Sequence, residues 1–159
     1  MRTLINAEIM EQGIKLRQLG AKVTVISGKL CYVKFEIGGY KIQYVYNVNS
    51  KGNYFLERTK PYPLPLREFE KEEDVIDIIE IDIEQFKFAL KSQNINDFIN
   101  IGKELNFTIR KFEDLFLYYN VSSDKVQSIK NKLHEINKEI NNTKEISKRI
   151  YFRKEPENI

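Results

Sequence analysis

Gly38-Gly39, set between two alternating runs, constrains the fold of this chain more than any other feature. A two-residue hairpin turn needs positive φ, which glycine adopts without a Cβ clash. The runs 30–37 and 40–48 flank it, and the turn dictates their register. Pairing Ile37 with Tyr40 sets Phe35 opposite Ile42, Val33 opposite Tyr44 and Cys31 opposite Tyr46, all apolar or aromatic and all on one face. The other face receives Glu36 opposite Lys41 and Lys34 opposite Gln43. A slip of one residue would turn every core side chain to solvent, so the alternation itself specifies the pairing.

The same logic extends the sheet. Residues 22–26 read as a strand that a loop at 27–29 returns onto Cys31 and Val33. Residues 54–59 read as a strand that a five-residue loop brings back with Val48 opposite Tyr54 and Tyr46 opposite Leu56. The expectation is a four-stranded antiparallel meander, preceded by a helix over 3–19 that Gly20 terminates. One sheet face must be covered, most simply by that helix and part of the C-terminal half. Pro61, Pro63 and Pro65 alternate through 60–66, which reads as an extended crossover because proline denies helix and central strand.

Beyond that crossover the pattern turns helical. Val75, Ile79, Ile83, Phe86 and Leu90 form one stripe, with local alternation at 76–83 leaving a short strand as the alternative there. Asp82 and Gln85 have the spacing of a capping box that would start a separate helix. A further helix over 96–119 has Phe98, Ile101, Leu105, Phe112 and Phe116 on its expected buried side, and Gly102 marks a close crossing. A last helix over 124–152 carries Val126, Ile129, Leu133, Ile136 and Ile140 at heptad spacing. Thr143 and Ser147 interrupt that seam before Ile150. At 1.5 Å per residue it would be about 43 Å long, longer than a small domain is wide. Residues 153–159 read as a frayed polar tail. The fold class is thus α+β: an N-terminal helix and a four-stranded antiparallel meander (1–67), then three or four helices with a long last one (68–159). The helical part is expected to pack on the sheet as one continuous domain.

Chemistry is sparse. His134 is the single histidine and Cys31 the single cysteine of 159 residues. That excludes an intrachain disulfide and leaves neither residue a partner of its own kind for metal or nucleophilic work. No glycine pattern matches a phosphate loop or a dinucleotide fingerprint. Asp77, Glu80 and Glu84 share helical faces, as paired acids in a metal or acid–base site would, but equally as the solvated side of an amphipathic helix. No cofactor, metal or catalytic residue is assigned. With no apolar run long enough for a bilayer and no signal-peptide pattern, the expectation is a cytoplasmic, non-membrane protein. The abundance of isoleucine, lysine and asparagine fits an AT-rich genome and carries no functional weight; a small accessory protein of a bacterium, bacterial virus or mobile element fits the sequence as a whole.

Charge is unevenly distributed. Residues 1–67 carry 11 Lys/Arg against 4 Asp/Glu, residues 68–100 carry 3 against 10, and the whole chain is +3. Basic and aromatic residues interleave along the sheet, and Lys29, Tyr32, Lys34, Lys41, Lys51 and Arg58 are the candidate single-stranded nucleic-acid surface, lysines on phosphates and rings on bases. The heptad seam supports a different reading, a non-enzymatic interaction or regulatory protein that meets a protein partner or a second copy through Ile136, Ile140, Ile146 and Ile150. An enzyme with a carboxylate-based site is the third expectation.

Overall fold

The computed structural model describes residues 2–23, 30–48 and 52–159, with side chains from residue 10 onward. The chain runs α1 (Arg2–Gln18), β1 (Leu30–Ile37), β2 (Tyr40–Val48), β3 (Tyr54–Lys60), β4 (Leu64–Phe69), α2 (Glu72–Ala89), α3 (Ile95–Tyr118) and α4 (Ser123–Ile146). The architecture is an N-terminal helix, a four-stranded antiparallel meander in the order β1-β2-β3-β4, and a three-helix C-terminal region. α1 ends as expected: Gly20 takes φ 91°, Gly20 N–H bonds Arg17 C=O and Ala21 N–H bonds Leu16 C=O, which closes the helix with a Schellman turn.

The hairpin has the register that the alternation dictates. Ile37 faces Tyr40, Phe35 faces Ile42, Val33 faces Tyr44 and Cys31 faces Tyr46. Gly38 and Gly39 both have positive φ, at 57° and 81°. The five-residue loop also holds, with Val48 opposite Tyr54, Tyr46 opposite Leu56 and, two residues on, Tyr44 opposite Arg58.

The identity of the fourth strand differs from the expectation. Most of 22–26 lies outside the described residues, and the fourth observed strand is β4, formed by part of the proline segment read as a crossover. Proline is tolerated there because β4 lies at the sheet edge, where one side of the backbone needs no ladder partner.

Coverage of the sheet also differs. α2 packs its buried stripe Val75, Ile79, Ile83 and Phe86 against Ile42, Tyr44, Tyr46, Leu56 and Phe69 to make the core. Each such apolar side chain, fully buried, contributes about 1.5–3 kcal/mol. α2 is one uninterrupted helix, so neither the short strand at 76–83 nor a helix start at Asp82 occurs. On α1, Met10, Ile14 and Leu16 remain exposed instead of covering the sheet. Acidic Glu72, Glu73 and Asp74 occupy the first turn of α2, where they complement the helix dipole.

α4 stops at Ile146, giving a helix of about 36 Å. Ser147 is extended at φ −97°, ψ 139°. Thr143 and Ser147 are the two polar residues on the seam, and the helix ends between them. The chain then folds back on α2. Tyr151 Oη donates to Glu84 at 2.9 Å, Arg153 bonds Glu84 at 2.6 Å and Glu80 at 3.4 Å, and the Tyr151 ring meets Phe88 edge-on. The segment 153–159 is therefore not a frayed tail. Glu80 and Glu84, read as a solvated acidic face, are what anchors it.

Candidate functional site

Two features stand apart from ordinary core and surface: uncovered apolar stripes on α3 and α4, and a polar cluster beneath α2.

Helix periodicity lines up Phe98, Ile101, Leu105, Phe112 and Phe116 on α3, and Leu133, Ile136 and Ile140 on α4. These were expected to be buried, at least on α3. Each is instead between 44% and 59% exposed, and the buried residues of α3 are Ile95 and Ile99, at the end next to α2. α4 buries no residue fully. Leu115 and Tyr119 at the end of α3 and Ile129 at the start of α4 wall a common recess of about 470 Å³. Of the candidate seam, Ile136 and Ile140 lie on α4, Ile146 is its exposed last residue, and Ile150 lies beyond the helix.

The second feature begins in the sheet register. Because Tyr44 pairs with Arg58, both side chains enter the inner face. Asp82 lies one turn from Ile79 and Phe86 along the buried stripe of α2, so the packing that builds the core also delivers a carboxylate to the arginine. Arg58 Nη1 donates to Asp82 Oδ1 at 2.8 Å and Oδ2 at 2.9 Å, and Tyr44 Oη donates to Oδ2 at 2.6 Å. The guanidinium carbon lies 4.9 Å from the ring centres of both Tyr62 and Phe86. Arg58 is 4% exposed, and its Nε is buried without a hydrogen-bond partner. Burial, together with the Asp82 carboxylate, pushes the Tyr44 phenol well above its ordinary value, so it remains a donor across the physiological range. Tyr62 is also raised, mainly by burial and against the opposing pull of Arg58. Gly102 lets α3 approach this cluster: a Cβ there would sit 2.6 Å from the Tyr62 ring. Arg58, Asp82, Gln85, Phe86, Ala89 and Phe98 line an open cavity of about 180 Å³.

The candidate nucleic-acid residues separate. Lys29 and Lys51 lie outside the described residues. Arg58 is buried and ion-paired, not on a surface. Tyr32, Lys34 and Lys41 are exposed on β1 and β2, with Lys34 Nζ 4.9 Å from the centre of the Tyr32 ring and Tyr32 Oη bonded to Gln43. His134 is an exposed residue of α4, and Cys31 packs partly buried against the core. Among the described residues no group of three His, Cys, Asp or Glu is placed to hold a metal ion, and no helix is long and apolar enough to cross a membrane. Asp82 is the residue that sequence reasoning missed, although an acid inside a buried helical stripe was a visible signal. Comparison with protein-family models, curated proteins and solved structures finds no match to this chain.

Proposed function

We propose that this chain is a non-enzymatic interaction protein that associates with a second copy of itself through the apolar stripes of α3 and α4. The observation that carries the reading is the half-exposed state of eight large apolar side chains set at helical spacing on two long helices. Roughly half of about 180 Å² on each sums to about 700 Å² per protomer, close to the ~800 Å² each partner contributes to a standard interface. Charge favours a second copy over a strongly charged partner. α4 carries five lysines against four acids and α3 three basic residues against four acids, so α3 of one copy meets α4 of another without net repulsion. α4 ends at Ile146, so Ile150 lies beyond the helical part of the seam.

Sedimentation equilibrium across a wide concentration range tests this. The wild type is expected to dimerise, and Ile136→Glu with Ile140→Glu to yield a folded monomer. Leu133→Glu is expected to do the same without unfolding the subunit, since the side chain is already half in water. A wild-type monomer at every concentration refutes the reading. Single-stranded nucleic acid is the second reading, favoured by the exposed Tyr32 ring beside Lys34 and by exposed Lys41 on the neighbouring strand. It requires binding that weakens steeply with salt and is lost in Lys34→Glu with Lys41→Glu.

A further inference from the structure

The cavity beside Arg58 is where the fold leaves polar capacity unused. Among the described residues only Nη1 of the guanidinium has a hydrogen-bond partner; Nε is buried and unpaired, and no described residue accepts from Nη2. A buried arginine is ordinarily saturated, so unpaired donors at a cavity wall call for an acceptor that the chain does not supply. Asp82 Oδ2 already accepts from Tyr44 and Arg58, whereas Oδ1 accepts only from Arg58 and retains a free acceptor position. Arg58 and Asp82 thus present, next to each other, an unused donor and an unused acceptor. The rings of Phe86 and Phe98 with the Ala89 methyl supply an apolar wall, and Gln85 stands at the opening. Asp82, Gln85 and Phe98 also border an adjoining space of about 580 Å³ roofed by the C-terminal segment, which gives the cavity a route outward.

The charge of this cleft decides what fits it. Arg58 is matched by Asp82, and in the outer space Lys154 pairs with Glu157, which also faces Arg67, while Glu155 pairs with Arg149, so each of these cations already holds a carboxylate. An anion seated on Arg58 would therefore meet the Asp82 carboxylate with no spare cation to balance it, and a cation seated on Asp82 would meet Arg58. A neutral group with adjacent acceptor and donor meets neither penalty. We propose that this cleft binds a compact uncharged amide or lactam, its carbonyl accepting from Arg58 Nη2, its N–H donating to Asp82 Oδ1 and its apolar body lying against Phe86, Ala89 and Phe98. The cavity has room for a single small ring.

The probes are 2-piperidone, N-methyl-2-piperidone, which lacks the donor, and valerate, which replaces the amide by an anion. Titration followed by amide NMR of the full chain is expected to give saturable 2-piperidone binding with shifts centred on Gln85, Phe86, Ala89 and Phe98. Binding of the other two is expected to be at least about ten-fold weaker. Ala89→Leu fills the apolar wall without touching Arg58 or Asp82 and is expected to abolish the shifts. Gln85→Trp, at an exposed position, blocks the opening and provides the same test should Ala89→Leu fold poorly. Valerate binding as tightly as the lactam, shifts centred elsewhere, no saturable binding up to the solubility limit, or shifts that persist in the folded plugged variants would each overturn the proposal.

Discussion

Removing the Asp82 carboxylate isolates the most consequential polar interaction in the fold. In Asp82→Ala the Arg58 guanidinium, whose side chain is 5% exposed, loses the only anion it touches among the described residues. At an effective dielectric near 20, two charges about 4 Å apart attract by roughly 4 kcal/mol, and stranding one partner of a buried pair typically costs about 3–5 kcal/mol. Tyr44 loses its acceptor as well, worth about 1 kcal/mol. The rings of Tyr62 and Phe86 attract the cation in wild type and variant alike, so their contribution cancels in the difference. The net expectation is a loss of about 4–6 kcal/mol, a large share of the ~5–15 kcal/mol that stabilises a domain. Urea unfolding followed by far-UV circular dichroism reads this as a lower midpoint at unchanged slope. Adding Arg58→Met to Asp82→Ala removes the stranded charge and should recover at least about 1 kcal/mol of the loss. A single-variant cost below about 1 kcal/mol, or a double variant no more stable than Asp82→Ala, would show that the pair is solvated and that the reasoning fails.

Ile42→Ala, at a fully buried position, should cost about 2–5 kcal/mol in the same unfolding assay. Phe35→Ala should cost distinctly less, because Phe35 is 36% exposed although it shares the inner face. Stability should fall above pH 10. The unfolded chain then releases the Tyr44 proton at the ordinary phenol value while the folded state retains it, so up to about 1.4 kcal/mol per pH unit is lost from there toward the raised folded value. Denaturant midpoints against pH for the wild type and Tyr44→Phe check this, and only the variant should lack that share of the slope. Gly102→Ala should lower the melting temperature. The new Cβ would fall 2.6 Å from the Tyr62 ring, and displacing that ring costs about 1–3 kcal/mol against about 1 kcal/mol gained in helix propensity. A higher melting temperature would mean that Tyr62 moves freely.

Local rules carried the sequence reading wherever structure is set locally. A two-glycine turn and strict alternation dictate the β1–β2 register, and a loop of fixed length carries the same register into β3. What failed depends on position within the whole. Pro65 can sit in a strand only because β4 forms the edge, and being at an edge is not a property of six residues. Arg58 was legible in part: pairing Tyr46 with Leu56 already turns it inward, but reading it by composition beside the other basic residues placed it on a surface. Its partner lies 24 residues away on α2, and only the packing of helix on sheet joins them. The C-terminal segment looks too polar to dock until Glu80 and Glu84, one turn apart, are found facing Arg153. The exposure of α3 and α4 is likewise invisible in their periodicity, which states that a face is apolar without stating what covers it.

Pro65 of β4, with Pro63 just before the strand, also bears on how copies of this chain can meet. An open sheet edge invites a neighbouring strand to extend it, which is a common route to unwanted polymers. Here the edge strand is six residues long and carries exposed Arg67 and Glu68, and neither Pro63 nor Pro65 has an N–H to offer an incoming strand. Growth of the sheet through β4 is thus disfavoured before any partner arrives. With that edge closed to extension, the proposed self-association falls to side chains of α3 and α4, whose backbone bonds are already closed and which can form a finite, saturable pairing in place of an endless ribbon.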